Sequence, residues 1–155
     1  MRRIAGLALI VVGAMAAVAV AESVHFKPRG PNFTDNGTTL TATGTLAGLG
    51  NGDVTITLEA SGVASTTGYN SGGNAAPGQN VGVTVTVTIT ISADKVKNGE
   101  VFFAIATPEP RQPTAKEAGF PNNNWTAVIT DVKFTSATIT VVQGGEVVLK
   151  QTFTL

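Results

Sequence analysis

The sequence predicts an all-β protein: one antiparallel β-sandwich of about seven or eight strands, Ig-like in general architecture, behind a signal-peptide helix. Three observations predict it. Thr, at 23 of 155 residues, alternates with Val, Ile and Leu in run after run. Gly- and Asn-rich turn signals separate those runs, and no segment sustains a helical period.

Alternation with period two sends all apolar side chains to one sheet face and the hydroxyls to the other. A short strand near Val24 to Phe26 opens the domain. Leu40, Ala42, Gly44 and Leu46 then share a face against Thr39, Thr41, Thr43 and Thr45. Val54, Ile56, Leu58 and Ala60 oppose Thr55, Thr57, Glu59 and Ser61. Residues 83–91 alternate Val or Ile with Thr, and every one is β-branched and favours an extended backbone. Val101, Phe103 and Ile105 mark the next strand. Trp125, Ala127 and Ile129 begin another, and Ala137, Ile139 and Val141 lie in register within a separate one over 134–142. The last strand carries Val147, Leu149, Phe153 and Leu155 on one face.

The punctuation agrees. Gly50-Asn51-Gly52-Asp53, Lys97-Asn98-Gly99-Glu100 and Gln143-Gly144-Gly145-Glu146 are turns, the last a two-residue hairpin signal. Two connections are long, 62–81 and 107–124. Inside the second, Thr114-Ala115-Lys116-Glu117 matches a capping box that Gly119 closes, predicting one helical turn. Loops of such length in a compact domain are functional or disordered.

Residues 1–21 read as a secretory leader. Met1-Arg2-Arg3 is basic, Ile4 to Val20 is apolar, and Ala19-Val20-Ala21 gives the small-x-small pattern of a cleavage site before Glu22. The rival is a retained membrane anchor, since about 18 apolar residues just cross a bilayer. Export to the periplasm or the extracellular space is the expectation, with residues 22–155 as the working domain.

Without Arg2 and Arg3, that domain holds 8 Lys+Arg against 10 Asp+Glu, a net charge of −2. It lacks the basic stripe that phosphate contacts need, so nucleic acid is not an expected partner. Cysteine is absent, which removes thiol catalysis and thiolate metal sites. The one histidine, His25, stands close to the start of the domain, a poor place for a rigid catalytic base. Glu59, Glu109 and Glu117 read as solvated charges rather than a convergent carboxylate pair. No enzyme activity and no cofactor are expected.

Some residues carry ligand chemistry by type. Trp125 follows Asn122-Asn123-Asn124, and Tyr69 is flanked by Asn70 and Asn74. An aromatic platform with amide donors suits a sugar, so Tyr69, Asn70, Asn74, Asn124 and Trp125 form a candidate glycan site, although a Trp at a strand start more often packs inward. Tyr69 and Phe120, one in each long loop, are also placed to pack on each other and pin the loops. Asp35, Asp53 and Asp131 have the oxygen ligands calcium takes, but Asx-Gly pairs are also what tight turns require. An eight-stranded outer-membrane barrel fits the alternation and lacks its aromatic girdles. The uncharged segment 83–91 is a pairing template, expected as a central strand or as an edge covered by neighbours; exposed, it would favour self-association.

Gly44-Thr45-Leu46-Ala47-Gly48-Leu49-Gly50-Asn51, the Gly72 to Asn80 loop, Asn124-Trp125-Thr126-Ala127 and the ending from Phe134 resemble a group of small, uncharacterised secreted bacterial β-proteins. The resemblance covers most of residues 22–155. It implies export and a single β-domain, and no activity. It also implies a cysteine in each long loop of the relatives, at the positions Tyr69 and Phe120 hold here. The function expected is that of a non-enzymatic structural or interaction protein of the cell envelope or its surroundings, with a glycan or an envelope protein as candidate partner and the long loops as the binding end.

Overall fold

Strands rich in Val, Ile and Thr must bury one face, and with an alternating pattern the solution is two sheets closed on each other. The computed structural model describes residues 23–155; the expected leader, with Ala19 and Ala21, lies outside them. The strands are β1 (His25–Asp35), β2 (Leu40–Ala47), β3 (Val54–Tyr69), β4 (Ala75–Pro77), β5 (Val81–Ile91), β6 (Val101–Ala106), β7 (Thr126–Gln143) and β8 (Glu146–Thr154). A 3₁₀ turn at Ala93–Lys95 precedes β6. All pairings are antiparallel. One sheet runs β1-β2-β6; in the other, β3 pairs β7 on one side and β4 and β5 on the other, and β8 follows β7.

The core lies between them. Leu40, Ala42, Leu46, Phe103 and Ile105 of the smaller sheet meet Val54, Ile56, Leu58, Ile139 and Val141 of the larger, all buried. Each of the Val, Leu, Ile and Phe side chains contributes roughly 1.5–3 kcal/mol by leaving water. With no cysteine, this burial and the β ladders hold the fold. The apolar rows face inward and the hydroxyls outward, the reverse of a membrane barrel. On the outer face, Thr57 and Thr88 hydroxyls lie 2.9 Å apart, Ser61 and Thr84 3.0 Å, and Thr138 and Thr152 2.8 Å.

The turns form as the sequence dictates. Asn98 (φ 52°) with Gly99 (φ 72°), and Gly144 (φ 63°) with Gly145 (φ 79°), are two-residue hairpin turns with both centres left-handed. Gln143, buried, accepts the Gly50 N–H through Oε1 and donates to the Gly50 and Gly52 carbonyls through Nε2. That clamp fixes the crossing from β2 to β3.

Four expectations need correction. The two strands at 125–129 and 134–142 are one, β7, with bulges opposite the Ser61/Gly62 and Ser65/Thr66 steps of β3. Each bulge inserts a residue and flips the inward phase, so Ile129, then Val132 and Phe134, then Ala137 all face the core. β3 likewise continues through 62–69, which the sequence reads as loop. Gly62 permits the close approach there, because a Cβ would run into the Lys133 carbonyl. In β8, a bulge beside Val141/Val142 turns Val147 outward, 60% exposed, away from the face it was expected to share with Leu149.

The fourth correction concerns β5. It is an edge strand that pairs only β3, not a central one. After β5 the chain crosses through the 3₁₀ turn to the other sheet, and among the described residues no strand pairs on its outer side. The 81–84 end of β5 lies against Pro110, Arg111 and Pro113, and β5 approaches β6 of the facing sheet.

Candidate functional site

The two long connections meet at one end of the sandwich. Pro110 and Pro113 are buried, and the 107–124 segment is tied down along its length. The Thr107 N–H donates to the Leu40 carbonyl, and the Thr107 hydroxyl accepts the Leu40 N–H, both at 2.9 Å. The Thr38 hydroxyl donates to Glu109 Oε1 at 3.2 Å. The Ile129 N–H donates to Gln112 Oε1 at 2.6 Å. Backbone groups that a free loop would leave to water are thus paired with the sandwich.

The expected helical turn is present. The Glu117 N–H donates to Thr114 Oγ1 at 3.1 Å, and the Thr114 N–H donates to Glu117 Oε2 at 2.6 Å, a reciprocal capping box. At the other end the Phe120 N–H reaches the Ala115 carbonyl and the Gly119 N–H the Lys116 carbonyl, a Schellman pair with Gly119 at φ 80°. Arg111 grips the same Glu117 with two N–H groups, at 2.9 and 3.3 Å. The Arg111 hydrogen bond, with help from the Thr114 N–H, holds the Glu117 carboxyl at about 2, below the usual glutamate value.

This turn delivers Phe120 onto β3. A Cβ at Gly68 would overlap the Phe120 ring, so glycine is what lets the ring lie there. Phe120 also stacks on Trp125, centroids 4.9 Å apart and planes 9° from parallel. The second loop closes on the first: the Gln79 N–H donates to the Ala118 carbonyl at 2.8 Å, the Gly78 N–H to the Thr66 carbonyl at 2.9 Å, and the Thr66 hydroxyl to the Gln79 carbonyl at 2.8 Å. Asn70 Oδ1 accepts the N–H groups of Gly72 and Asn74, both at 3.0 Å, which shapes the 70–74 turn. Asn122 does the same for the Asn124 N–H at 3.0 Å.

The structure divides the candidate glycan residues. Tyr69 pairs with Thr126 on the outer face and is 44% exposed. Trp125 is half-buried and follows the parity of Ala127 and Ile129, toward the inner side where Phe120 lies. Tyr69 and Trp125 therefore point to opposite sides of the sheet and build no common platform. Nor do Tyr69 and Phe120 stack, as packing between the loops would have them do; Phe120 is pinned by Gly68 and Trp125 instead. Asn70, Asn74 and Asn124 are at the same end, with Asn124 exposed. The contribution of Gly68 is invisible in sequence, because a strand glycine carries no chemistry of its own.

The acidic candidates are scattered. Asp35 Oδ1 accepts the Gly37 N–H at 2.9 Å, an Asx turn, and Asp131 sits in the bulged part of β7 close to Gly37. Asp53 is at the far end of β3, where it accepts the Ala93 N–H at 2.9 Å. Some twelve residue steps along β3, roughly 40 Å, separate it from Ser65, the position paired with Asp131. Among the described residues no three His, Cys, Asp or Glu gather as a metal would need. Glu59 lies mid-strand on the outer face between Thr86 and Thr138, while Glu117 is taken up by Arg111 and the Thr114 N–H and Glu109 by the Thr38 hydroxyl.

The cleft between β5 and the Pro-rich segment, lined by Val81, Val83, Thr84, Pro110, Arg111 and Pro113, is only about 140 Å³. Small-molecule sites enclose roughly 300–1,000 Å³. What this end offers is a firm, shaped surface with exposed amides and one exposed tyrosine. In comparison with known proteins, the chain matches no family model and no curated protein.

Proposed function

We propose that the chain is an exported, non-enzymatic structural or interaction module of the cell envelope or its surroundings, which recognises its partner with the joined loops at 70–80 and 107–125. One observation carries the reading. Both loops are locked to each other and to the sandwich by backbone bonds, the capping-box turn and the Phe120–Trp125 stack. A surface ordered before contact loses little entropy on binding, which is what a recognition surface needs. The basic start, apolar run and Ala19-Val20-Ala21 pattern support export.

The strand order supports an Ig-like assignment. Constant-type Ig domains set strands A, B, E and D against C, F and G. Here β1, β2 and β6 stand as A, B and E, and β3, β7 and β8 as C, F and G, while β5 pairs with C rather than E. Expression in a bacterial host, followed by fractionation and intact mass, tests export. A mature chain beginning at Glu22 outside the cytoplasm is expected; an unprocessed cytoplasmic chain refutes it.

A glycan is the second reading, favoured by a half-exposed Trp125 beside exposed Asn122, Asn123 and Asn124. A glycan array with Trp125→Ala and Tyr69→Ala variants tests it. Binding lost with Trp125→Ala and kept with Tyr69→Ala is expected, since the two residues face different sides. No retained glycan, or retention that survives Trp125→Ala, removes this reading.

A further inference from the structure

Sheet edges expose unpaired backbone N–H and C=O groups, and proteins usually blunt them with charge, proline, bulges or brevity. Three edges here are blunted. β1 carries Pro28 and Pro31 across a register break between Lys27 and Asn32, and Lys27 is ion-paired with Glu100. β8 carries Glu146 and Lys150 and a bulge. β6 is six residues long. β5 has none of these devices. Its eleven residues pair with β3 in unbroken register from Val54↔Ile91 to Ala64↔Val81, without charge or proline.

The Pro110–Pro113 segment lies against residues 81–84, and among the described residues no strand pairs with the outer edge of Val85 to Ile91. The inner row is unfinished on the same side. Val87, Ile89 and Ile91 remain half-buried, whereas their cross-strand partners Leu58, Ile56 and Val54 are fully buried. Phe102, the most exposed large apolar side chain among the described residues at 66%, stands on β6, which lies against β5 on this flank.

We propose that this edge pairs with its own counterpart in a second copy of the chain, β5 antiparallel to β5 about a twofold axis at Thr88. The free stretch is self-complementary. The axis sets Thr86 opposite Thr90, Val87 opposite Ile89, and Val85 opposite Ile91, with Thr88 meeting itself. Hydroxyls meet hydroxyls, as Thr55–Thr90 and Thr57–Thr88 already do between β3 and β5, and apolar residues meet apolar ones. No charge meets itself, the requirement an isologous interface places on its axis. The result is a continuous sheet through both copies with the half-buried Val and Ile row covered. This surface is separate from the loop end and stands without that reading.

The test is the ratio of light-scattering mass to mass-spectrometric mass over a dilution series of the purified chain. A ratio of two is expected, falling to one for Thr88→Lys with unchanged circular dichroism. Because the chain has no cysteine, Thr88→Cys gives a second readout: it crosslinks to a dimer, and Thr140→Cys, two strands inward on the same face, does not. A wild-type ratio of one, a higher oligomer, a dimer that Thr88→Lys leaves intact, or equal crosslinking at both cysteines overturns the proposal; a monomer that captures another protein's strand does so as well.

Discussion

Gly68→Ala perturbs the loop end by a single methyl group. The three atoms nearest to that methyl all belong to the Phe120 ring, and the overlap is too deep for small adjustments. The ring must leave its place, taking with it the stack on Trp125 and the packing that holds the 107–124 segment. Forced overpacking of this kind costs about 1–3 kcal/mol. Phe120→Ala removes the half-buried ring instead, at about 2 kcal/mol, less than the loss from a fully buried phenylalanine. In the Phe120→Ala background the clash is gone. The Gly68→Ala change then becomes neutral or stabilises by about 0.5–1 kcal/mol, because alanine loses less backbone entropy in a strand than glycine. The two changes are thus coupled by about 2 kcal/mol. Urea unfolding of the wild type, both single variants and the double variant measures it, and the sole tryptophan, Trp125, reports the stack directly by fluorescence. An equal cost of Gly68→Ala in both backgrounds, or no cost in the wild type, refutes this account of how the loop is seated.

Gln143→Leu keeps the buried volume but strips three hydrogen bonds from the Gly50 and Gly52 backbone. Part of that backbone reaches water, so the expected loss is about 1–2 kcal/mol, read as a lower urea midpoint at unchanged slope. Glu117 gives a pH signature. Its folded pKa is depressed to about 2, so its stabilising contribution is present above the unfolded glutamate value near 4.5 and is lost as pH falls toward 2. NMR of the Glu117 N–H and Thr114 N–H should follow that loss, and Glu117→Gln should flatten the dependence. Arg111→Ala should shift the Glu117 titration upward, since Arg111 is the largest cause of the depression; an unmoved titration contradicts the assignment.

How much of this is legible in the sequence depends on phase. Where the apolar phase is constant, as in Leu40 to Leu46, Val54 to Ala60 and Val101 to Ile105, the residues alone predict strand and buried face, and the structure agrees. Local chemistry is equally legible: the Thr114–Glu117 box, Gly119 and the Gly144-Gly145 hairpin form as read. Bulges break this legibility. Ile129, Val132 and Ala137 cannot share one face of a regular strand, so the sequence divides β7 at the point where the structure bends it. The neighbours of β5 are set by where the chain goes next, which no period encodes. The opposite facing of Tyr69 and Trp125 follows from the register between β3 and β7, a non-local quantity.

The loop end is ordered as one body with the sandwich. Amide hydrogen exchange measures this directly at Gln79, Phe120 and Ile129, whose N–H groups bond to Ala118, Ala115 and Gln112. Protection close to that of the β3–β7 core amides is expected, with Phe120→Ala lowering it at Gln79 and leaving the core unchanged. Exchange of these three amides at the rate of a free loop would contradict the account.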